Sequence, residues 1–208
     1  MEKDLIVEEK IKRSASEVFQ QKGFGGARIK DIAEHAGVNN AMVHYYFRSK
    51  ENLFEEIMEE STFKLFDTVK LIVNDPETNL SEKIDRIVNY YFTILSENND
   101  LPLFVMSEVQ SNPDKYASYY AASLNGILGD SIFFKQVEEQ IRDKNLEEKI
   151  SPYQFFVNTV SLCIFPFLGT SILSKIIDPG EPFEFGLLME ERRKLTPAWI
   201  KEMLKLEG

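Results

Sequence analysis

The apolar residues of this chain recur with helical spacing, and the alternation typical of strands is nearly absent. Near the N-terminus, Ile11, Ala15 and Val18 fall at i, i+4 and i+7, which places them on one face of a helix. Similar stripes return over residues 53–65 and 81–98. The pattern therefore predicts an all-α protein of about nine helices.

Composition narrows the class of protein further. The chain has 208 residues, enough for one large domain or two small ones, and 43% of them are hydrophobic, which excludes a disordered chain. Its single cysteine, Cys163, excludes a secreted domain held by intrachain disulfides. The N-terminal residues lack the apolar stretch of a signal peptide, so we expect a cytoplasmic location.

Charge is distributed unevenly along the chain. The net charge of −10 argues, taken alone, against a nucleic-acid partner. Residues 1–50, however, hold nine Lys/Arg and seven Asp/Glu, for +2, whereas residues 51–208 hold 15 and 27, for −12. This asymmetry predicts two domains with different roles, residues 1–50 and residues 51–208.

Two short helices joined by a tight turn are predicted in the basic segment. Residues 29–36 carry apolar residues with helical spacing, and Gly37 provides the break that follows. Asn39 is a suitable N-cap for a second helix over residues 40–47. This order of elements is the plan of a helix-turn-helix.

The side chains of these two helices suit close packing. Ala33 and Ala36 are small enough for the second helix to approach the first. Val43 and Phe47 would anchor the second helix from its inner side. The outer side is then free to enter a DNA major groove, which is about 12 Å wide.

Three stretches carry a resemblance to a known family: FQQKGF at residues 19–24, IKDIAEHAGV at 29–38 and YYFRSKENLF at 45–54. Together they resemble the signature of the tetracycline-repressor (TetR) family. The resemblance implies a three-helix DNA-binding unit joined by a long helix to a helical ligand-binding and dimerisation domain. It further implies a homodimeric repressor, without a cofactor, that binds a palindromic operator in double-stranded DNA and is released by a small-molecule effector.

The resemblance assigns DNA-contact roles position by position. Residues expected to face base edges are Lys30, Asn40, Ala41, Met42, His44 and Tyr45. Residues expected to hold phosphates are Arg28, Asn39, Tyr46 and Lys50. Tyr45 and Tyr46 are also suitable core aromatics, but one short helix cannot bury both together with its two apolar anchors.

The sequence departs from the family pattern at several of these positions. Ala27-Arg28 replaces the Thr or Ser that usually caps the first of the two helices, and Arg28 offers a charged phosphate contact instead. Met42 cannot donate to a phosphate but suits a thymine methyl group. His44 is expected to keep a ring donor in place of a phenol.

Aromatic residues are dense in the acidic part of the chain. They favour a packed core, but tyrosines also line cavities, and the family places its ligand cavity within about residues 60–175. The candidate lining residues are Phe63, Phe66, Tyr91, Phe104, Glu108, Tyr120 and Phe156. Glu108 would meet a cationic ligand there, or else lie on a solvated face.

Residues 153–174 contain no charged side chain. That length is sufficient to cross a bilayer, but the polar residues within the segment and the absence of flanking tryptophans argue against a membrane span. In the family the last two long helices form the dimer interface, and this segment with residues 184–206 occupies their place. Cys163 is either a small core residue or a redox sensor, and we expect a helix break at Thr196-Pro197.

Other functional classes have weaker support. Tyr46 and Lys50 match the Tyr-x-x-x-Lys spacing of short-chain dehydrogenases, but no strand–GxGxxG–helix unit accompanies them. Two histidines and one cysteine give neither a zinc-binding spacing nor a catalytic triad. No enzyme and no metal site are therefore expected. The remaining alternative is a helix-turn-helix protein that acts through protein–protein contacts without a small effector.

Overall fold

A computed structural model describes residues 2–111, 113–114, 121, 124, 126–177 and 184–206. These residues are helical or lie in turns, without strands, which confirms the predicted all-α class. The helices of the described residues are α1 (Glu2–Gly26), α2 (Ile29–Ala36), α3 (Asn40–Phe47), α4 (Lys50–Val73), α5 (Leu80–Glu97), α6 (Leu101–Ser111), α7 (Ile132–Asp143), α8 (Pro152–Leu168), α9 (Thr170–Ile177) and α10 (Phe185–Met203).

The first three helices pack around a small apolar core. Ile11 and Ala15 of α1 are fully buried and pack in one cluster with Ile32 of α2 and Val43 of α3. Near its end α1 is broken at Gly23, whose φ of 66° lies in the left-handed region that favours glycine. The break redirects the chain so that α2 packs back against α1.

Helix α4 connects this N-terminal core with the rest of the molecule. Ser49 caps it, since its hydroxyl accepts a hydrogen bond from the backbone N–H of Asn52 at 3.0 Å. Leu53 and Ile57 are buried near its start, and Val69 and Val73 are buried near its end. At 1.5 Å per residue its 24 residues span about 36 Å.

The turn between α4 and α5 is closed by a fully buried lysine. The ammonium group of Lys83 donates to the carbonyl oxygen of Asp75 at 2.7 Å and also to the carbonyl oxygen of Thr78. Burial lowers the pKa of Lys83 from its ordinary value. Helix α5 then packs against α4, α8 and α10, which places it at the centre of the helices that follow α3.

Two predicted helix boundaries in the C-terminal part are corrected by the structure. The uncharged segment forms two helices rather than one, because α8 ends at Leu168 and the chain turns at Gly169 before α9. Conversely, α10 runs without interruption through Pro197. A proline removes only one helical hydrogen bond, and the buried Thr196 and Ile200 keep this face of α10 packed on both sides of it.

Candidate nucleic-acid interface

The turn between α2 and α3 has the geometry that a helix-turn-helix requires. Gly37 adopts the left-handed conformation (φ 62°, ψ 34°), and the N–H of Val38 returns to the carbonyl oxygen of Ala33 at 2.9 Å. Asn39 caps α3 as predicted, because its side-chain oxygen accepts from the backbone N–H of Met42 at 2.9 Å. Local hydrogen bonds thus fix the direction in which α3 leaves the turn.

Helix α3 is anchored on one side and open on the other. Val43 is fully buried and Phe47 is 3% exposed, whereas Tyr45 is 81% exposed. The ring of Tyr46 is half-buried and lies edge-on to that of Tyr45, with centroids 5.2 Å apart. The predicted base-edge candidates that are exposed are Lys30, Asn40, Ala41, His44 and Tyr45, and Met42 is half-buried. The structure therefore brings one continuous exposed face together on α3.

The start of α2 shows how the chain replaces the missing hydroxyl cap. The carboxylate of Asp31 reaches back and accepts from the backbone N–H of Arg28 at 3.1 Å. It also pairs with the ammonium group of Lys22 at 3.2 Å, and this hydrogen bond holds the pKa of Asp31 below its ordinary value. Because the acid provides the cap, the exposed side chain of Arg28 is not needed for it.

The ring of His44 is tied to the end of its own helix. Its Nδ1 lies 2.9 Å from the carbonyl oxygen of Arg48, and the side chain is exposed. Arg48 follows α3 with φ 65° and ψ −47°, a conformation that non-glycine residues rarely adopt. The sequence does not predict this contact, because the unusual backbone conformation of Arg48 leaves no signal in it.

Lys50 is placed differently from its predicted role. Its ammonium group donates to the carbonyl oxygens of Phe24 at 2.8 Å and Ala27 at 3.1 Å, and it lies 4.1 Å from the centroid of the Phe24 ring. Two of its three N–H donors are therefore engaged by backbone at the α1–α2 junction. Lys50 thus holds the start of α4 against the N-terminal unit (α1–α3), and its assignment to a phosphate stays a prediction that these contacts do not support.

A second charged contact joins α1 to α4. The ammonium group of Lys12 lies 2.6 Å from Glu60 and 3.0 Å from Glu56, both on α4, and 3.3 Å from Glu9. Although burial opposes its charge, hydrogen bonds to the two α4 carboxylates raise the pKa of Lys12 above its ordinary value. The sequence does not predict this cluster of charges either. The one sequence feature that points to it is a lysine next to the buried apolar stripe of α1.

The predicted ligand-lining residues do not all meet at one place. Phe66, Tyr91 and Phe156 line a cavity of about 30 Å³ enclosed mainly by α4, α5, α7 and α8. Phe104 lies elsewhere, edge-on to Phe54 with centroids 5.9 Å apart, and Phe63 is 44% exposed. Neither residue lines this cavity, so their assignment to a ligand site stays a prediction that this cavity does not support. The side chain of Glu108 and the whole of Tyr120 lie outside the described residues.

The polar groups around this cavity are neutral. Burial raises the pKa of Tyr91 above its ordinary value, and it raises the pKa of the Cys163 thiol to about 12. Because the thiolate is the reactive form of cysteine, Cys163 is a small core residue rather than a reactive thiol. The hydroxyl of Thr159 donates to the carbonyl oxygen of Phe155 at 2.9 Å. The cavity thus offers an incoming molecule mainly apolar surface.

The described part of the chain lacks both a grouping of metal-ligating side chains and an apolar helix of membrane-spanning length. Within it, no three His, Cys, Asp or Glu side chains are grouped as metal ligands would be. No helix of that part is both long enough and apolar enough to cross a bilayer.

Comparison with known proteins agrees with this geometry. Residues 11–57 match the model of the tetR family of bacterial regulatory proteins, a span that contains α2 and α3 entirely. The chain is 26% identical to the probable HTH-type transcriptional regulator YttP of Bacillus subtilis, over 95% of this chain and 93% of that protein. It is 37% identical to the HTH-type transcriptional repressor NicS of Pseudomonas putida, over 43% of this chain and 46% of the repressor.

Solved structures extend the likeness over the whole fold. The transcriptional regulator FadR from Bacillus subtilis, in complex with stearoyl-CoA, superposes with a TM-score of 0.53 at 16% identity and covers 91% of this chain and 97% of its own. Other TetR-family regulators share the same arrangement of helices. The matched proteins are regulators that bind DNA rather than enzymes. Residues 11–57 therefore carry the sequence signature of the tetR family, and the fold of the chain is that of TetR-family transcriptional regulators.

Proposed function

We propose that the protein is a homodimeric repressor that binds a palindromic operator through α3 and is released by a small effector. The observation that carries the proposal is the exposed face of α3, held in one orientation by the buried Val43 and Phe47. A rigid helix with an open face is what direct contact with base edges in a major groove requires. In this proposal residues 1–50 contact DNA and residues 51–208 bind the effector and the second subunit.

The dimer is supported by an apolar stripe that is exposed among the described residues. On α8 and α9 the exposed positions follow helical spacing across the turn at Gly169, and α10 adds further apolar residues. The stripe consists of Tyr153, Val157, Phe165, Leu168, Ile172 and Ile176, with Leu187, Leu195 and Trp199 on α10. Exposed apolar side chains aligned along helices in this way support a protein interface in a chain whose net charge is −10. A second copy, related by a twofold axis, buries the same stripe on both subunits.

The operator follows from this symmetry. Two α3 helices related by a twofold axis contact half-sites that read the same on opposite strands, about 34 Å apart. Arg28 and Lys30 are exposed beside them, so binding should fall steeply with salt as phosphate counterions are released. The acidic remainder of the chain repels DNA from its other surfaces.

Release by an effector is supported by the position of α4. Its first residues contact the N-terminal unit through Lys50, and Phe66, Val69 and Val73 near its other end line the apolar cavity. A cavity of about 30 Å³ is far smaller than a metabolite, so an occupant must push these helices apart. Movement of α4 would then shift the N-terminal unit and change the separation of the two α3 helices.

The size of this coupling need not be large. An effector that binds the released spacing about 3 kcal/mol more tightly than the DNA-bound spacing weakens operator affinity about 150-fold. The cavity lining favours an apolar effector or one with an apolar portion. Compounds with a long acyl chain, such as the stearoyl-CoA bound by the similar FadR, are therefore a suitable first class to test.

Selection from a pool of random duplexes tests the DNA-binding part of the proposal. We expect the purified protein to enrich one palindrome, and we expect Tyr45→Ala to lose or change that enrichment because Tyr45 is 81% exposed on α3. Leu71→Ala is the matched control, since Leu71 is 74% exposed on α4, away from α3. The proposal would be contradicted if neither the folded wild-type protein nor the folded Leu71→Ala variant enriches any sequence.

A further inference from the structure

The ring of His44 has a defined donor and a defined acceptor. Its Nδ1 lies 2.9 Å from the carbonyl oxygen of Arg48. A carbonyl oxygen only accepts hydrogen bonds, so the contact requires a proton on Nδ1. In the neutral ring the second nitrogen, Nε2, then carries no proton and presents a lone pair.

The backbone at the end of α3 keeps the ring in this position. The carbonyl of Arg48 belongs to a residue with φ 65° and ψ −47°, which turns the chain sharply between α3 and the cap of α4. The N–H of Arg48 returns to the carbonyl oxygen of His44 at 2.9 Å, so the two residues are joined by both ring and backbone. The two nitrogens of an imidazole point in diverging directions, and Nε2 therefore faces away from the Arg48 carbonyl.

An outward acceptor on this face of α3 selects its partner by chemistry. Phosphate oxygens are acceptors as well, so they offer Nε2 no hydrogen bond. In the major groove, guanine shows two acceptors, and thymine shows an acceptor and a methyl group. Only adenine N6 and cytosine N4 carry amine donors there.

We propose that His44 determines operator specificity by accepting, through Nε2, a hydrogen bond from the exocyclic amine of an adenine or a cytosine. The assignment rests on the proposed function of α3 as the DNA-contacting helix. It reverses the donor role expected from the sequence, because the ring donor is already bound by Arg48. His44 is exposed, so the fold does not need this nitrogen for packing.

The ring proton is located first, in the protein without DNA. Nitrogen-15 NMR of the histidine rings at pH 8 distinguishes the protonated nitrogen of each neutral ring from the bare one. The chain has two histidines, and a His35→Gln variant assigns the two sets of signals. We expect the proton of His44 on Nδ1, and a proton on Nε2 would overturn the proposal.

The base preference of the wild-type protein is then compared with that of a variant in which His44 is replaced by a side chain that can only donate hydrogen bonds. In selected duplexes we expect one position of each half-site to hold adenine or cytosine, and guanine or thymine there to weaken wild-type binding about five- to tenfold. His44→Arg should change the preference at that position alone to guanine, since arginine pairs with the guanine acceptors. His35→Gln should change no position, because His35 lies on α2 with its Nε2 3.4 Å from Glu17.

Two results distinguish the inference from the function on which it rests. Enrichment of an operator whose preferences are the same in wild type and His44→Arg would overturn the role of His44 and leave the DNA-binding proposal intact. Enrichment of no sequence by the wild-type protein would overturn the proposed function and, with it, the base contact.

Discussion

Replacement of Lys50 by methionine distinguishes the phosphate contact predicted from the sequence from the backbone contacts found in the structure. Methionine keeps an unbranched stem of similar length but loses the ammonium group that donates to Phe24 and Ala27. Each hydrogen bond from a charged donor contributes about 1.5–3 kcal/mol when it is well shielded. Fully shielded, the two hydrogen bonds would together contribute about 3–6 kcal/mol, but Lys50 is only partly buried, so about half of that sum, about 1.5–3 kcal/mol, is expected.

Another term offsets part of this loss. Lys50 is the first residue of α4, where a positive charge is opposed by the helix dipole at a cost of about 0.5 kcal/mol. We therefore expect Lys50→Met to lower the free energy of unfolding by about 2 kcal/mol. For a chain of this length that corresponds to a melting temperature about 4–8 °C lower.

The assay that decides between the two roles is the salt dependence of DNA binding. A lysine that holds a phosphate contributes about 0.9 to the slope of log affinity against log salt concentration. Lys50→Met should leave that slope unchanged while it lowers both affinity and stability. Arg28→Met is the matched control, because Arg28 is exposed and is the residue predicted to hold a phosphate, so that change should reduce the slope by about 0.9. The reasoning is refuted if Lys50→Met reduces the slope by about one and leaves the melting temperature unchanged.

Three further predictions concern other parts of the molecule. Asp31→Asn should lower the melting temperature at pH 7. The difference in melting temperature from wild type should shrink as the pH falls below about 4, because the contacts that lower the pKa of Asp31 stabilise only its ionised form. A difference independent of pH would contradict the role of the pair with Lys22. Ile172→Glu should shift the protein from dimer to monomer in sedimentation, whereas Leu71→Glu should not, although both side chains are exposed; equal behaviour of the two variants would argue against the α8–α9 stripe as the interface. Cys163 should stay unmodified by iodoacetamide until the protein unfolds, since burial keeps its thiol protonated; rapid labelling of the native protein would restore a redox role.

The helix-turn-helix could be predicted closely because its signals are local. The structure places α2 at Ile29–Ala36 and α3 at Asn40–Phe47, as expected from Gly37 and Asn39. A glycine in the left-handed region and a side-chain cap act within four residues of themselves, so the sequence carries them directly. The resemblance to the TetR family rests on the same residues.

The structure differs from the sequence-based predictions where contacts with distant segments determine the position of a residue. Pro197 was expected to break a helix, but packing of its neighbours maintains α10. Lys50 carries a charge typical of a phosphate contact, yet two carbonyls far away in the sequence bind it. Phe63 and Phe104 are aromatic residues of the kind that line ligand cavities, but neither lines the cavity between α4, α5, α7 and α8. Helical periodicity assigns a residue to one face of its helix without showing what covers that face.

The most direct test of the central claim compares a complete operator with altered half-sites. If a twofold dimer places one α3 in each of two major grooves, scrambling one half-site should weaken binding more than 100-fold at physiological salt, of the order expected when several base contacts are lost together. Insertion of about five base pairs between the half-sites, half a helical turn, should do the same by moving one half-site to the opposite face of the duplex. A single half-site that binds as tightly as the complete operator, or tolerance of the insertion, would contradict the account.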